Sequence, residues 1–222
     1  ESIADTSKIL STYGNAFMLR TDSDKKLDQF KKYSSIPIIN GLSPSSHPTQ
    51  VLSDIFTIQE IKKKSISKLK LCWIGDANNN MMNSLVEACI KFSVYLNIAC
   101  PKSYQPNKKL ISLIKKQKGK IKIFNKKEIA IKNSDVVMTD KIISLNDKVN
   151  KKKKLKSFKN FKVDTKTMNL AKKDAIFLHC LPRGNEVTEE VFLGKQSKVW
   201  QQALNRVYVQ KSILLYCFGK LR

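Results

Sequence analysis

Histidine and arginine are scarce in this chain of 222 residues: there are two histidines, and four arginines among 42 basic side chains. No apolar run approaches the ~20 residues that a membrane-spanning helix needs, which excludes such a span. The five cysteines, at 72, 89, 100, 180 and 217, are odd in number and include no C-x-x-C pair. That pattern excludes a disulfide framework or a zinc site and favours a reducing, cytoplasmic location. No basic-then-apolar signal segment opens the sequence. Also missing are the P-loop, the G-x-G-x-x-G dinucleotide fingerprint, the nucleophile elbow and any cluster with metal-ligand spacing. No metal site is therefore expected.

Acidic residues are few as well: 18 against 42 basic ones leave a net charge of +24. A charge of that size raises the question of nucleic acid. The excess is nearly all lysine, however, spread over almost every expected surface, and aromatic residues do not interleave with it as a stacking platform requires. The expectation is no nucleic-acid and no membrane partner, with the densest run, Lys151–Lys154, solvated in a linker. Arginine carries more information here, because a position that keeps it in a lysine-rich chain asks for a planar, bidentate fork.

What the chain does have is 41% hydrophobic residues, enough for a real core at this length, in alternating strand and helix patterns. A helix opens at residue 2 and stops at Gly14. Strands are expected at 16–20 and 36–40, separated by a polar helix at 24–33 and followed by a loop rich in Gly, Ser and Pro at 41–46. His47-Pro-Thr-Gln50 then opens a helix reaching about Lys64, with an apolar stripe through Val51, Leu52, Ile55, Phe56, Ile58 and Ile61. Pro48 suits the first helical position. His47 and Gln50 stand where free N–H groups and the helix dipole favour an anion, although an ordinary N-cap reading of His47 is equally open.

Residues 65–68 mark a boundary, after which the pattern restarts. Strands are expected at 69–74, 96–99, 121–124, 134–138 and 175–178. Helices are expected at 83–94, 108–118, 165–171 and 188–192, with a short one near Glu128. Residues 142–159 are poorly defined, and an amphipathic helix runs from 199 to 218. Such alternation implies an α/β fold built on parallel sheet.

Gly75–Asn80, Thr139-Asp140 and His179-Cys180 each follow a strand directly. Open parallel sheets bind ligands outside the carboxyl ends of their strands, so these loops should line one crevice. The stretch from Phe177 to Arg183 (Phe-Leu-His-Cys-Leu-Pro-Arg) concentrates the scarce residue types, with one of the two histidines and one of the four arginines. The plainer alternative is a buried His and Cys capping a core strand.

Five motifs in order carry a resemblance: His47-Pro-Thr-Gln50; Gly75-Asp76 with the asparagine run and Asn83-Ser84; Thr139-Asp140 with Ser144; His179-Cys-Leu-Pro182; and Ala203-Leu-Asn-Arg206. Glu1–Thr6 and Ile38–Ser43 match as well. Together they resemble the aspartate/ornithine carbamoyltransferase family over essentially the whole chain, and His-Cys-Leu-Pro resembles its ornithine branch.

The resemblance implies two parallel-sheet α/β domains, the first incomplete. Residues 1–64 would be the second half of a carbamoyl-phosphate-binding domain with its linking helix, 65–197 an ornithine-binding domain, and 198–222 a helix returning to the first. It implies transfer of a carbamoyl group to the δ-amine of L-ornithine, giving citrulline, in arginine biosynthesis, by a homotrimer without cofactor or metal. Residue by residue, Arg20, His47, Gln50, Cys180, Leu181 and Arg206 match carbamoyl-phosphate contacts. Asn80 (Asn79 is less well aligned), Asp140, Ser144, Leu145 and Cys180 match ornithine contacts. The catalytic set would be Arg20, His47, Asp140 and Cys180, with Asp140 holding the amine and Cys180 helping to accept its proton.

There are departures. The family's Ser-x-Arg-Thr-Arg phosphate loop does not occur in the 222 residues, Leu145-Asn146 stands where the family has Met-Gly, and Leu204 replaces a glutamate. The expectation is an N-terminally truncated chain with exposed apolar faces near 16–20 and 36–40, and poor solubility or weak activity alone. The alternatives are a carbamoyltransferase acting on putrescine or an acylated ornithine, or a non-catalytic degenerate relative.

Overall fold

The computed structural model describes residues 1–143 and 150–221. Helix α1 (Ile3–Tyr13) begins at Ser2, whose side chain accepts from the Asp5 N–H, and α2 (Asp24–Tyr33) begins at Ser23, which does the same for Lys26. Both caps satisfy amides that a helix start leaves orphaned. Between and after these helices, β1 (Phe17–Arg20) and β2 (Ile38–Leu42) pair in parallel. The second strand runs through residues expected to be loop, because Gly41 lets the two strands approach closely. A Cβ there would lie 2.8 Å from the Met18 Cγ. The register slips between Leu19 and Arg20, an irregularity of the kind that re-aims a strand-end side chain. Met18 of β1 is 43% exposed, whereas Ile39 of β2 is buried.

Helix α3 (Pro48–Lys62) leads into the larger sheet. Its strands are β3 (Lys70–Ile74), β4 (Tyr95–Ala99), β5 (Ile121–Phe124), β6 (Val136–Thr139) and β7 (Ile176–His179). All pair in parallel, in the order β5-β4-β3-β6-β7. Helices α4 (Asn80–Lys91), α5 (Lys108–Lys115) and α6 (Lys127–Ala130) connect the early strands. Helices α7 (Lys151–Phe158) and α8 (Thr165–Met168) precede β7, and α9 (Glu189–Leu193) and α10 (Val199–Cys217) follow it.

Both faces of this sheet are covered, which explains its continuous apolar strands. Leu71 and Trp73 of β3 join one core cluster with Met82, Leu85 and Ile58, while the alternate residues Cys72 and Ile74 join a second with Phe158, Phe177 and Phe192. Helix α7 falls inside the stretch expected to be undefined. Lys154 within it is not a solvated linker residue: it is 4% exposed and its Nζ lies 2.7 Å from Asp76 Oδ2. Among the described residues no helix is long and apolar enough to cross a membrane. Helix α10 lies along α3, joined to it by Asn205 Nδ2 donating to Thr57 Oγ1 at 3.0 Å and to Glu60 Oε2 at 2.8 Å.

Candidate active site

Strand order reverses at β3, since the chain goes to β4 on one side and returns to β6 on the other. A crevice opens outside the carboxyl ends of strands at such a switch point, and the loops after β3, β6 and β7 are next to one another there. Gly75 makes the first turn with φ +151°, a region glycine enters without strain. A Cβ at that position would lie 3.2 Å from Thr139 Oγ1, the hydroxyl that ties the neighbouring strand end to the Ile74 carbonyl at 2.6 Å.

On the α3 side the site is cationic. His47 precedes Pro48 at the helix start, makes no side-chain cap, and is fixed by its backbone N–H donating to Ser84 Oγ at 2.9 Å. Burial first, then the charges of Arg206 and Arg20, push its imidazole down to about 4. It is therefore neutral at pH 7, and the two guanidinium charges help to keep it so. His47 Nδ1 and Arg206 Nε are buried with no partner among the described residues. Two fixed cations, a neutral imidazole and a helix amino end form a setting that an anionic ligand would relieve.

Asp54 lies about two turns further along α3 and is wholly buried. It shares the buried face with Val51, Ile55 and Ile58. One of its oxygens, Oδ1, accepts from Gln50 Nε2 at 2.8 Å and from Gln202 Nε2 at 2.7 Å. Gln202 in turn accepts the His179 backbone N–H at 2.9 Å, so one carboxylate links α3, α10 and the end of β7. Burial raises its pKa to about 6, against the two amide bonds and Arg206, with the charge of Asp140 adding to the rise. A carboxyl whose folded pKa is raised costs stability above that value and costs nothing below the ordinary 3.8. Asp54→Asn is accordingly expected to raise unfolding free energy at pH 8, by on the order of 2 kcal/mol, and to leave it unchanged at pH 4. Urea unfolding at the two pH values reads the difference.

At the end of β7, Cys180 and Asp140 come together. Burial, then the charges of Asp140 and Asp54, push the Cys180 thiol far up. It stays protonated beside the Asp140 carboxyl group. The expectation that Cys180 helps to accept a proton thus meets a thiol that already holds one. Asp140 is raised by its own burial, against the bond from Cys180 and the nearby His179. Its backbone neighbour Lys141 donates to it at 2.6 Å.

His179 turns Nε2 toward Glu186 Oε1 at 2.9 Å, both side chains being buried. For Glu186, burial is outweighed by the bonds from His179 and Gly184, and its pKa lies below the ordinary 4.5. A depressed carboxyl contributes stability that is fully present above the unfolded value and lost as pH falls through the folded one. Glu186→Gln should therefore cost about 2 kcal/mol at pH 7, with the gap to the parent chain closing below about pH 4. Chemical denaturation across that range tests the sign.

Of the residues expected to form the site, Arg20, His47, Arg206, Asp140 and Cys180 are brought within mutual electrostatic or hydrogen-bonding reach directly or through Asp54. Gln50 joins them through Asp54. Leu181 follows Cys180 in a half-exposed turn whose Leu181–Pro182 peptide is cis. The asparagine run divides its work: Asn79 caps α4 by accepting from Met82 N–H, and Asn80 donates to the Ser43 carbonyl at 2.9 Å. Asn80 therefore ties the β3 loop to the segment leading to His47. Ser144 and Leu145 lie outside the described residues. Sequence reasoning missed Asp54, Gln202, Glu186 and Lys154. An acid in the apolar stripe of α3 was a readable signal for the first. Gln202 and Glu186 gave none, because their partners are distant in sequence.

A parallel α/β sheet with scarce polar residues gathered at its switch point, beside an anion-seeking helix start, is the arrangement of a small-molecule-binding α/β protein. Comparison with known proteins makes the class specific. The aspartate/ornithine carbamoyltransferase Asp/Orn binding domain matches residues 67–217, and the carbamoyl-P binding domain of the same family matches residues 1–60. The chain belongs to the aspartate/ornithine carbamoyltransferase family.

It is 43% identical to an ornithine carbamoyltransferase of Caldicellulosiruptor saccharolyticus, over 100% of this chain and 73% of that protein. Among solved structures, the anabolic ornithine carbamoyltransferase of Campylobacter jejuni superposes with a TM-score of 0.92 at 38% identity, covering 99% of this chain and 74% of that one. The ornithine carbamoyltransferase of Pyrococcus furiosus gives 0.91 at 37% identity, covering 100% and 72%.

Proposed function

We propose that this chain transfers the carbamoyl group of carbamoyl phosphate to the δ-amine of L-ornithine, giving L-citrulline and phosphate. The observation that carries the reading is the junction of a cationic, anion-seeking pocket (Arg20, His47, Arg206) with a carboxylate–thiol pair (Asp140, Cys180) across the buried Asp54. One side suits an acyl phosphate and the other an ammonium group. The likeness to proteins described as ornithine carbamoyltransferases supports the same pairing.

In this reading the phosphate lies against Arg20 and Arg206. Neutral His47 donates to the carbamoyl oxygen, whose charge grows as the tetrahedral intermediate forms. Gln50 and the Leu181 backbone hold the carbamoyl amide. Asp140 and Asn80 orient the amine, and the Cys180 thiol lies beside Asp140. The amine nitrogen attacks the carbonyl carbon once it has lost a proton, and Asp140 is the buried base within reach. Collapse of the intermediate breaks the C–O bond, and the leaving phosphate takes the electron pair together with the second proton that the attacking nitrogen gives up. Residues 1–64, 65–197 and 198–222 serve as the carbamoyl-phosphate lobe, the ornithine lobe and the returning helix.

The reading extends to arginine biosynthesis, which the anabolic description of the Campylobacter relative supports, and to a cytoplasmic homotrimer, which the family resemblance supports. The test is product analysis with ornithine, putrescine, acylated ornithine and aspartate. Citrulline and phosphate forming in equal amounts from ornithine alone is the expected result, and faster product from another amine would overturn the assignment. Sedimentation checks the trimer.

A further inference from the structure

Asp54 is wholly buried, lies outside the set that would touch substrate, and has both neighbouring carboxamides bonded to a single oxygen. A carboxylate can only accept, so it dictates which end of each amide it meets. Gln202 must turn its NH2 toward Asp54, which leaves its oxygen for the His179 N–H. Gln50 must do likewise, which leaves its carbonyl oxygen as the end directed away from the carboxylate. With an apolar residue at 54, Gln50 would be free to flip and present a donor.

We propose that Asp54 is a positioning residue that locks Gln50 with its carbonyl oxygen toward the acyl group of the substrate, and so selects an acyl phosphate bearing N–H (carbamoyl) over one bearing a methyl (acetyl). The inference rests on the carbamoyl-phosphate reading above and deepens it. The two acyl phosphates have nearly the same shape, and what separates them is whether the acyl substituent can donate. A fixed acceptor is satisfied by the carbamoyl NH2 and is left unpaired and desolvated against a methyl, whereas an amide free to flip discriminates poorly.

Dissociation constants for carbamoyl phosphate and acetyl phosphate, measured on the parent chain and on variants, test this. The parent should prefer carbamoyl phosphate by at least tenfold. Asp54→Leu, with no acceptor, should lose most of that preference, chiefly by weaker carbamoyl phosphate binding. Asp54→Asn, which keeps an acceptor oxygen, should retain it. Gln50→Met should lose it too, and the Asp54→Leu/Gln50→Met pair should lose no more than Gln50→Met alone, which shows that Asp54 acts through Gln50.

Equal weakening of both ligands in Asp54→Leu, or an unchanged preference, would overturn the role of Asp54 while leaving the reading of the site intact. A parent chain that shows no preference would overturn the reading itself. Should Asp54→Leu not fold, Asp54→Thr, whose oxygen is too short to reach both amides, carries the same expectation.

Discussion

Asp140→Asn is expected to lower citrulline formation by about 10³-fold, within the range for loss of a positioned general base. The side chain keeps its shape but loses two abilities at once. It no longer carries the charge that would hold an ornithine ammonium, and it no longer offers a basic oxygen for the proton the amine must shed. The thiol beside it does not substitute, because burial and the charges of Asp140 and Asp54 keep Cys180 protonated. Removing the Asp140 charge relieves part of that pressure, so the Cys180 thiol should titrate lower in the variant. Steady-state kinetics should show kcat falling and the ornithine KM rising, with carbamoyl phosphate binding almost unchanged. A variant with parental kcat would mean that the proton leaves by another route.

Lys154→Met should be the most damaging single change to stability, costing about 3–5 kcal/mol because it strands Asp76 as a buried, uncompensated carboxylate. For a chain of this size that corresponds to a fall of about 10 °C in melting temperature. The ammonium is buried, 2.7 Å from Asp76 Oδ2 and over the Tyr104 ring at 5.6 Å. Asp76 uses its other oxygen to accept from the Asn78 N–H at 2.9 Å. Asp76→Asn combined with Lys154→Met keeps that acceptor and removes the stranded charge, so the double variant should recover much of the loss. Calorimetry on the three proteins decides it. Because Asp76 shapes the loop between β3 and α4, ornithine binding should weaken together with stability in the single variant.

The misreading of Lys154 shows where sequence reasoning stops. Lys151–Lys154 is four identical residues, and composition cannot say that one turns inward while its neighbours are exposed. That depends on Asp76, 78 positions earlier, being carried to the same place by β3. The bond from Asn80 to the Ser43 carbonyl is similar, because only the fold brings together residues 37 positions apart. Gly41, expected in a loop, extends β2 because the neighbouring strand needs the space a side chain would fill. By contrast, the strands at 69–74, 96–99, 121–124 and 175–178 were legible to within two residues, because strands covered on both faces are mostly apolar. That the loops at 75–80, 139–140 and 179–180 lie next to one another followed from parallel topology alone.

The sequence by itself determined the α/β class, the strands whose ends carry chemistry, and the side chains that gather there, since scarcity made His47, His179, Arg20 and Arg206 stand out and period-2 and period-3.6 patterns are local. Only the tertiary structure decided their states: that His47 is neutral, that Cys180 keeps its proton, and that Asp54 joins two helices and a strand. Protonation and amide orientation depend on burial and on charges brought close from far along the chain, and those distances exist only once the chain has folded.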